Sequence, residues 1–369
     1  MENDEFTFIV GGKAGEGVKK TGFTAGRLFA SLGRYTFEME DYMSVIRGGH
    51  SFSAVSTATR PITSHYMKAD LVVALDKRSY QAHRDHVAPG GIMVYNADLI
   101  EEAEGVGLPL TSEAKKYPNP SLRLGVGAIA ALAAALGMDK DTLTRLIEKE
   151  YRRDTEYNVP YATTIYGIAF PKIGGKRRLV RGDKERPIVS GNEAIALGAA
   201  AAGLDIYVAY PMTPASPILH YLARHDKELG VTVMHPENEI AVVNIAIGAA
   251  FAGARAMVGT SGGGFALMEE AFSLAGMLEA PLLCVLGSRP GPSTGVATYT
   301  EQGDLGFAIH SGHGEFARIV ASPGSVEEAY RLSAEMLDLV WRFQTPGILL
   351  TEKHLGESSM TVDIDVDGA

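Results

Sequence analysis

The stretch Phe6-Thr-Phe-Ile-Val-Gly-Gly-Lys-Ala-Gly-Glu-Gly17, followed by a helically spaced run to Ser31, reads as strand, glycine turn and helix. The same grammar recurs along the chain. Short apolar runs at Leu71–Leu75, Ile92–Tyr95, Ile206–Tyr210, Val231–Met234, Ala256–Val258, Leu282–Leu286 and Gly347–Leu350 are four or five residues long, or three at Ala256. They alternate with stretches of helical period at Ser121–Leu136, Glu239–Ala252 and Val326–Trp341. Such runs read as buried, mainly parallel strands in α/β layers, and the pattern occurs twice. The expected fold is therefore two doubly wound α/β domains. Between them, Lys176–Arg186 carries six basic and two acidic residues, with Gly174-Gly175 before it and Pro187 after it. The expected division is a domain over 1–175, a solvated linker over 176–187, a second domain over 188–356, and a tail or edge strand over 357–369.

Composition narrows the function. The 369 residues include 34 Lys plus Arg and 44 Asp plus Glu, a formal net charge of -10 that disfavours a nucleic-acid protein. No apolar run approaches the roughly 18 residues of a membrane span. The acidic start, Met1-Glu-Asn-Asp-Glu5, is not that of a signal peptide, and a cytoplasmic protein is expected. The single cysteine, Cys284, lies within an apolar strand run and is expected to be inert. One thiolate cannot hold an iron–sulfur cluster or a structural zinc, so no metal site is assigned to this chain.

Several loops carry chemistry. Gly11–Gly17 could bring backbone N–H groups close to an anion, although Ala14 stands where a dinucleotide fingerprint needs glycine and no Gly-Lys-Ser/Thr follows. Gly12, Gly15 and Gly17, with Arg47 and His50 from Ser44-Val-Ile-Arg-Gly-Gly-His50, form a candidate ligand site. In the second half, Tyr210-Pro-Met-Thr-Pro-Ala-Ser-Pro217 leaves a strand, Glu237-Asn-Glu239 opens an Ala/Gly-rich helix, and Thr260-Ser-Gly-Gly-Gly264 opens another. Ser288-Arg-Pro-Gly-Pro-Ser-Thr-Gly295 follows the Leu282 strand. These segments face one ligand only if their strands are neighbours, since open α/β sheets bind ligands at the carboxyl ends of their strands.

Together with Thr300-Glu-Gln-Gly-Asp-Leu305 and Gly312-His-Gly-Glu-Phe316, the ordered motifs resemble the alpha subunit of 2-oxoacid:ferredoxin oxidoreductases, most of all the 2-oxoglutarate type. The first half, with its glycine loop, Ile46-Arg-Gly-Gly-His50 and Ala69-Asp-Leu-Val-Val-Ala-Leu-Asp76, resembles that family's gamma domain, fused N-terminally. The resemblance implies oxidative decarboxylation of a 2-oxoacid to its acyl-CoA, with reduction of ferredoxin. The second domain would then bind the pyrimidine of thiamine diphosphate. Glu239 would be the carboxylate that bonds the aminopyrimidine, with coenzyme A as cosubstrate. Glu237 is its rival, but the nine-residue step from Glu239 to Gly248 matches the Glu-to-Gly spacing of thiamine enzymes. Thr213 and Arg289 would grip the substrate 1-carboxylate with Ser216 beside them, and Tyr210, Pro211, Thr260, Ser261 and Gly262 would border the cofactor. Met212 and Pro290 replace the family's more usual isoleucine and glycine.

A Gly-Asp-Gly segment followed by Asn, which holds magnesium and the diphosphate, is missing: the only Gly-Asp pairs are Gly182-Asp183 and Gly303-Asp304. The resemblance therefore requires a beta subunit bringing the diphosphate half, the magnesium and the iron–sulfur cluster. It also expects a further domain after the region of Glu352-Lys-His-Leu355, where this sequence ends soon after. A self-contained thiamine decarboxylase is disfavoured by the same missing segment. The alternative of another class is a non-catalytic α/β module that binds a phosphorylated ligand or scaffolds a complex. For the second carboxylate of 2-oxoglutarate, Lys13, Arg47 and Lys77 are the candidate cations.

Overall fold

The computed structural model describes residues 4–44, 48–101 and 103–364. The chain divides into two units, one running to Ile188 and taking back Ser359–Thr361, the other holding Val189–Ser358 and the residues from Val362. No helix among the described residues is long and apolar enough to cross a membrane.

In the first unit, β1 (Phe6–Ala14) leads through the glycine turn into α1 (Val18–Ser31), then β2 (Tyr35–Asp41), β3 (Gly48–Ala58), β4 (Ala69–Ala74) and α2 (Lys77–His83). A short 3-10 turn, Arg84–His86, precedes β5 (Val87–Asn96), β6 (Val106–Leu108) and four helices: α3 (Leu110–Ala114), α4 (Pro120–Leu136), α5 (Lys140–Glu150) and α6 (Thr155–Ile173). The strands β6, β5, β4 and β1 are parallel, whereas β3 and β2 continue the sheet antiparallel. These two strands are absent from the apolar runs of the sequence. Their polar residues are the reason: Glu38 and Glu40 in β2 and Ser51, Ser53, Ser56 and Thr57 in β3 are buried. Glu38 accepts a hydrogen bond from Ser53 at 2.9 Å, which satisfies both in the interior. The core on one face packs Phe8, Val10, Phe29 and Val73 against α4, whose alanines from Ala128 to Ala135 are completely buried. Small side chains let that helix approach closely.

Residues 176–187 are mostly exposed, as expected of a connector, but the segment is also tied to the first unit at several points. Arg34 donates to the Val180 carbonyl at 2.6 Å, and Gly182 N–H donates to Leu32 O at 2.9 Å. Arg186 is buried, with its guanidinium 3.7 Å above the Tyr35 ring and 2.7 Å from Asp183. The 357–369 segment, expected as a tail or edge strand, holds β14 (Ser359–Thr361), which pairs antiparallel with β2, and β7 (Ile188–Ser190) follows residues 176–187 in the chain.

The second unit continues from β7 with α7 (Gly191–Ala201), β8 (Ile206–Val208), α8 (Ser216–Arg224), α9 (Asp226–Leu229), β9 (Thr232–Met234) and α10 (Glu239–Phe251). There follow β10 (Ala256–Ser261), α11 (Gly262–Met277), β11 (Leu282–Ser288), α12 (Leu305–Ile309), β12 (Ile319–Ala321), α13 (Val326–Phe343), β13 (Gly347–Glu352) and α14 (Lys353–Glu357). Its six strands are all parallel in the order β12-β13-β11-β10-β8-β9. The chain goes from β8 to β9 on one side and then returns to β10 on the other, so the strand order reverses between β8 and β10. A reversal of this kind opens a crevice at the carboxyl ends of the two strands. The loop after β8 carries Tyr210–Ala215, with Ser216 opening α8, and Ser261–Gly264 spans the direct passage from β10 into α11.

Cys284 sits in the middle of β11, completely buried, and desolvation pushes its thiol far above the usual range. We expect thiol reagents to leave the native chain unmodified and to label it stoichiometrically once denatured, because the thiolate is the reactive form. Rapid labelling of the folded chain, read by mass spectrometry, would contradict this burial.

Candidate active site

The crevice is built from β8, β10 and β11. Asn238 caps α10 by accepting from Ala241 N–H at 3.0 Å, which aims the first helical residue, Glu239, inward. Glu239 is 4% exposed, whereas Glu237, two residues earlier, is exposed. Glu239 Oε1 is buried with no hydrogen-bond partner. A buried acceptor left unpaired costs roughly 1–3 kcal/mol, so its persistence at this point marks a position awaiting a donor. The space beside it exists because residue 264 is glycine: a Cβ there would stand 2.9 Å from both Cγ and Oε1 of Glu239 and would also strike the Thr260 hydroxyl.

Thr260 connects this carboxylate with the rest of the crevice. Its hydroxyl is buried and lies 3.9 Å from Met212 Sδ. Met212, Gly262, Gly263, Arg289, Thr294 and Asp304 line a cavity of about 490 Å³. Ser261, which precedes α11 without capping it, has a buried hydroxyl with no partner.

Arg289 and Thr213, 76 residues apart, meet here: Arg289 Nη1 donates to the Thr213 carbonyl at 2.7 Å. Desolvation lowers the Arg289 pKa from its ordinary value, and the side chain remains a cation at neutral pH. The opposing charge in the cavity is Asp304, whose Oδ2 accepts from Ser288 Oγ at 3.0 Å. Ser216 begins α8 and its N–H donates to Met212 O at 3.1 Å, which folds the loop back on itself. Tyr210 and Pro211 lie at the start of that loop, with the partly exposed Tyr210 ring against His235 at 5.9 Å.

Sequence reasoning missed Asn192. Its side chain is buried, and its Nδ2 donates to the Pro214 carbonyl at 2.9 Å, so both Thr213 and Pro214 carbonyls are held. A polar residue near a helix start carries no signal of such a distant partner.

The described candidates for the first-unit ligand site lie at the end of β1, in the turn after it and on β3. The Lys13 N–H in the glycine loop is taken by Glu16 Oε2 at 2.8 Å, and that carboxylate stands where a Gly12 side chain would. The loop is occupied by its own acid, whose pKa burial raises. Gly17 has φ 81° and caps α1, while Gly15 has φ 97°, both conformations that favour glycine. His50 lies on β3 beside the end of β1. Arg47 falls outside the described residues. Lys13 and Lys77 are exposed.

Comparison with known proteins gives the class and then the family. Residues 197–368 match the family model described as pyruvate flavodoxin/ferredoxin oxidoreductase, thiamine diphosphate-binding, and residues 7–166 match that of pyruvate ferredoxin/flavodoxin oxidoreductase. The second half of the chain thus matches a thiamine-diphosphate-binding domain and the first half a ferredoxin/flavodoxin oxidoreductase domain. The chain belongs to the family of 2-oxoacid:ferredoxin oxidoreductase alpha subunits. It is 30% identical to the 2-oxoacid:ferredoxin oxidoreductase subunit alpha of Sulfolobus sp, over 96% of this chain and 66% of that protein. With the 2-oxoglutarate synthase subunit KorA of Archaeoglobus fulgidus it shares 39% identity over 48% of this chain and 51% of the relative. A solved 2-oxoglutarate:ferredoxin oxidoreductase from Magnetococcus marinus, with 2-oxoglutarate, coenzyme A and succinyl-CoA bound, superposes with a TM-score of 0.89. That match has 28% identity and covers all of this chain and 67% of the other. The chain spans just under two thirds of the length of the curated alpha subunits it matches end to end.

Proposed function

We propose that this chain is the gamma-fused alpha subunit of a thiamine-diphosphate-dependent 2-oxoacid:ferredoxin oxidoreductase, with functional domains over 1–175 and 188–356. It would oxidise a 2-oxoacid, 2-oxoglutarate being the favoured substrate, to carbon dioxide and the acyl-CoA, passing electrons to cytoplasmic ferredoxin. The observation that carries the reading is the buried, unpartnered Glu239 Oε1 at a strand-order reversal.

The residues present fit the cofactor's pyrimidine. Glu239 offers an acceptor in a dry pocket, Gly264 leaves room for a flat ring, and Thr260 and Ser261 offer hydroxyls. Bound thiamine diphosphate supplies a nucleophilic carbon and an electron sink. Glu239 would hold the proton bond to a ring nitrogen, a role for which a carboxylate shielded from water is suited. Arg289, pinned through the Thr213 carbonyl, would present its remaining N–H groups to the substrate 1-carboxylate with the Thr213 hydroxyl. Arg289 is the one cation among the residues lining the cavity, so a second substrate carboxylate would draw on a cation from elsewhere.

A beta subunit bringing the diphosphate half, magnesium and the iron–sulfur cluster would cover the apolar residues left exposed on the two helices flanking the crevice. These are Ile240 and Phe251 on α10 and Leu267, Leu274 and Met277 on α11. Large apolar side chains grouped in this way suit a protein interface.

The test is reconstitution with that subunit, followed by viologen or ferredoxin reduction against a panel of 2-oxoacids with and without coenzyme A. Arg289→Gln is expected to raise the substrate KM about 10- to 100-fold, since a charge-assisted hydrogen bond contributes about 1.5–3 kcal/mol. An unchanged KM would remove Arg289 from substrate binding. Failure of thiamine diphosphate to bind the assembled pair, measured by calorimetry, would favour the non-catalytic module instead.

A further inference from the structure

The first unit contains a row of polar groups that the proposed reaction does not use. At the carboxyl ends of β1 and β4, Asp76 caps α2 and is 4% exposed. Its Oδ1 accepts from Ser79 N–H at 2.8 Å and from the Ser79 hydroxyl at 2.7 Å. Ser79 Oγ lies 3.3 Å from His50 Nδ1, His50 Nε2 lies 3.0 Å from His83 Nε2, and His83 Nδ1 lies 3.1 Å from His86 Nδ1. His83 is 2% exposed, and His86 at the far end is partly exposed.

Hydrogen-bond inventory gives this row a direction. An ionised carboxylate only accepts, so the Ser79 proton points to Asp76 and its oxygen must accept from His50 Nδ1–H. A neutral His50 then has a lone pair on Nε2, which requires His83 to donate from Nε2. His83 Nδ1 is consequently an acceptor, and His86 must donate from Nδ1. One anchor at Asp76 sets three tautomers in turn.

The surroundings keep His50 and His83 neutral. Burial, followed by the neighbouring His50 and His86, lowers the His83 pKa to about 3, and burial also lowers that of His50. The charged groups acting on His50 are Asp76 and Asp41, which favour its cation, and Arg78, which opposes it. Glu16 on the glycine loop feels the Asp76 charge. The Phe52 ring lies 4.7 Å from that of His83 and 5.8 Å from that of His50. Gly11 in β1 closes the remaining side, where a Cβ would stand 3.0 Å from Ser79 Cβ and 3.1 Å from His83 Cδ2.

We propose that His86, His83, His50 and Ser79 form a proton-conducting row through which the buried Asp76 carboxylate exchanges protons with solvent. A proton bound at His86 Nε2 sends the His86 Nδ1 proton to His83 Nδ1 and the His83 Nε2 proton to His50 Nε2. The His50 Nδ1 proton then passes to Ser79 Oγ, and the serine proton to Asp76 Oδ1. Each N–H or O–H bond broken is matched by one formed, and no electrons move. Asp76 ends neutral with all three tautomers reversed. The row thereby couples the charge at this sheet edge to the outside. It stands apart from the reaction proposed for the second unit, and its test needs no turnover.

The test is long-range 1H–15N NMR of the full chain carrying 15N-labelled histidine rings, at pH 7.5. The expected result is the Nδ1–H tautomer for His50 and His86 and the Nε2–H tautomer for His83. Ser79→Ala should release the anchor and give mixed tautomers at both His50 and His83. His86→Phe, at the partly exposed end, should slow solvent exchange of the His83 and His50 ring protons at least 10-fold while leaving the melting temperature near wild type. Three results would overturn the proposal: His83 protonated on Nδ1, exchange rates unaltered in His86→Phe, or stoichiometric zinc shifting the His50 and His83 nitrogens together as in a metal site.

Discussion

Glu239→Gln is expected to lower kcat of the reconstituted enzyme by about 10²- to 10⁴-fold, the span associated with losing a positioned proton-transfer group. The substitution keeps shape and volume, so the pocket against Gly264 and Thr260 should persist. What changes is the chemistry at one atom: an amide oxygen can accept a hydrogen bond, but it cannot hold a carboxylate's share of the ring proton. The fold should be nearly indifferent. Removing a negative charge from the first turn of α10 forfeits roughly 0.3–1 kcal/mol of helix-dipole interaction, offset by no longer burying an ion. Substrate KM should change little, because Arg289 and Thr213 remain joined. Steady-state kinetics beside a melting curve make the test, and full activity in the glutamine variant would take Glu239 out of the chemistry.

Gly264→Ala should produce a loss of similar kind by displacement alone, with kcat falling on the order of 10²-fold, as for misplacing a reacting group by about 1 Å. The added methyl would meet Glu239 Cγ and Oε1 at 2.9 Å and collide with the Thr260 hydroxyl. Thr260 is fully buried in β10, so relieving the collision takes rotation of its hydroxyl or a shift of the α11 start, and Glu239 must move as well to clear the methyl. Stability should move by no more than a few kcal/mol, since overpacking costs about 1–3 kcal/mol and alanine gains roughly 1 kcal/mol over glycine in a helix. Gly263→Ala is the matched control. Its Cβ would first meet the Ser293 carbonyl at 3.3 Å, an adjustment of tenths of an ångström in a cavity wall. If both variants retain wild-type kcat, the geometry around Glu239 does not limit turnover.

The strands that spell themselves in apolar residues were legible from the start: Phe6–Val10 and Leu282–Leu286 lie in β-strands, as does Leu71–Leu75 up to Ala74, and the four helices recognised by their period begin within a residue or two of their observed starts. Strands β2 and β3 were not legible, because an interior built on Glu38 hydrogen-bonded to Ser53 looks polar in one dimension. The glycine loop was recognised as a helix entrance, but its occupant was not. Whether its amides wait for an outside anion or bind Glu16 depends on a side-chain rotation that spacing does not encode. Likewise, Arg186 reads as one more solvated cation of residues 176–187 until the Tyr35 ring is placed beneath it, whereas Lys176, Arg178, Arg181 and Lys184 stay exposed.

By itself, the sequence determined the α/β class and the order of motifs that marks the family, and it favoured Glu239 over Glu237. These are properties of residues close together along the chain, where period, turn chemistry and spacing act. Only the tertiary structure decided which groups meet. Parallel pairing of β8, β10 and β11 carries their carboxyl ends to one edge, bringing Arg289 to Thr213 and the α11 entrance to Glu239. In the first unit, the pairing of β1 with β3 and β4 sets His50 against His83, 33 residues away. Strand register is a long-range hydrogen-bonding outcome, and the sites at the strand ends inherit it.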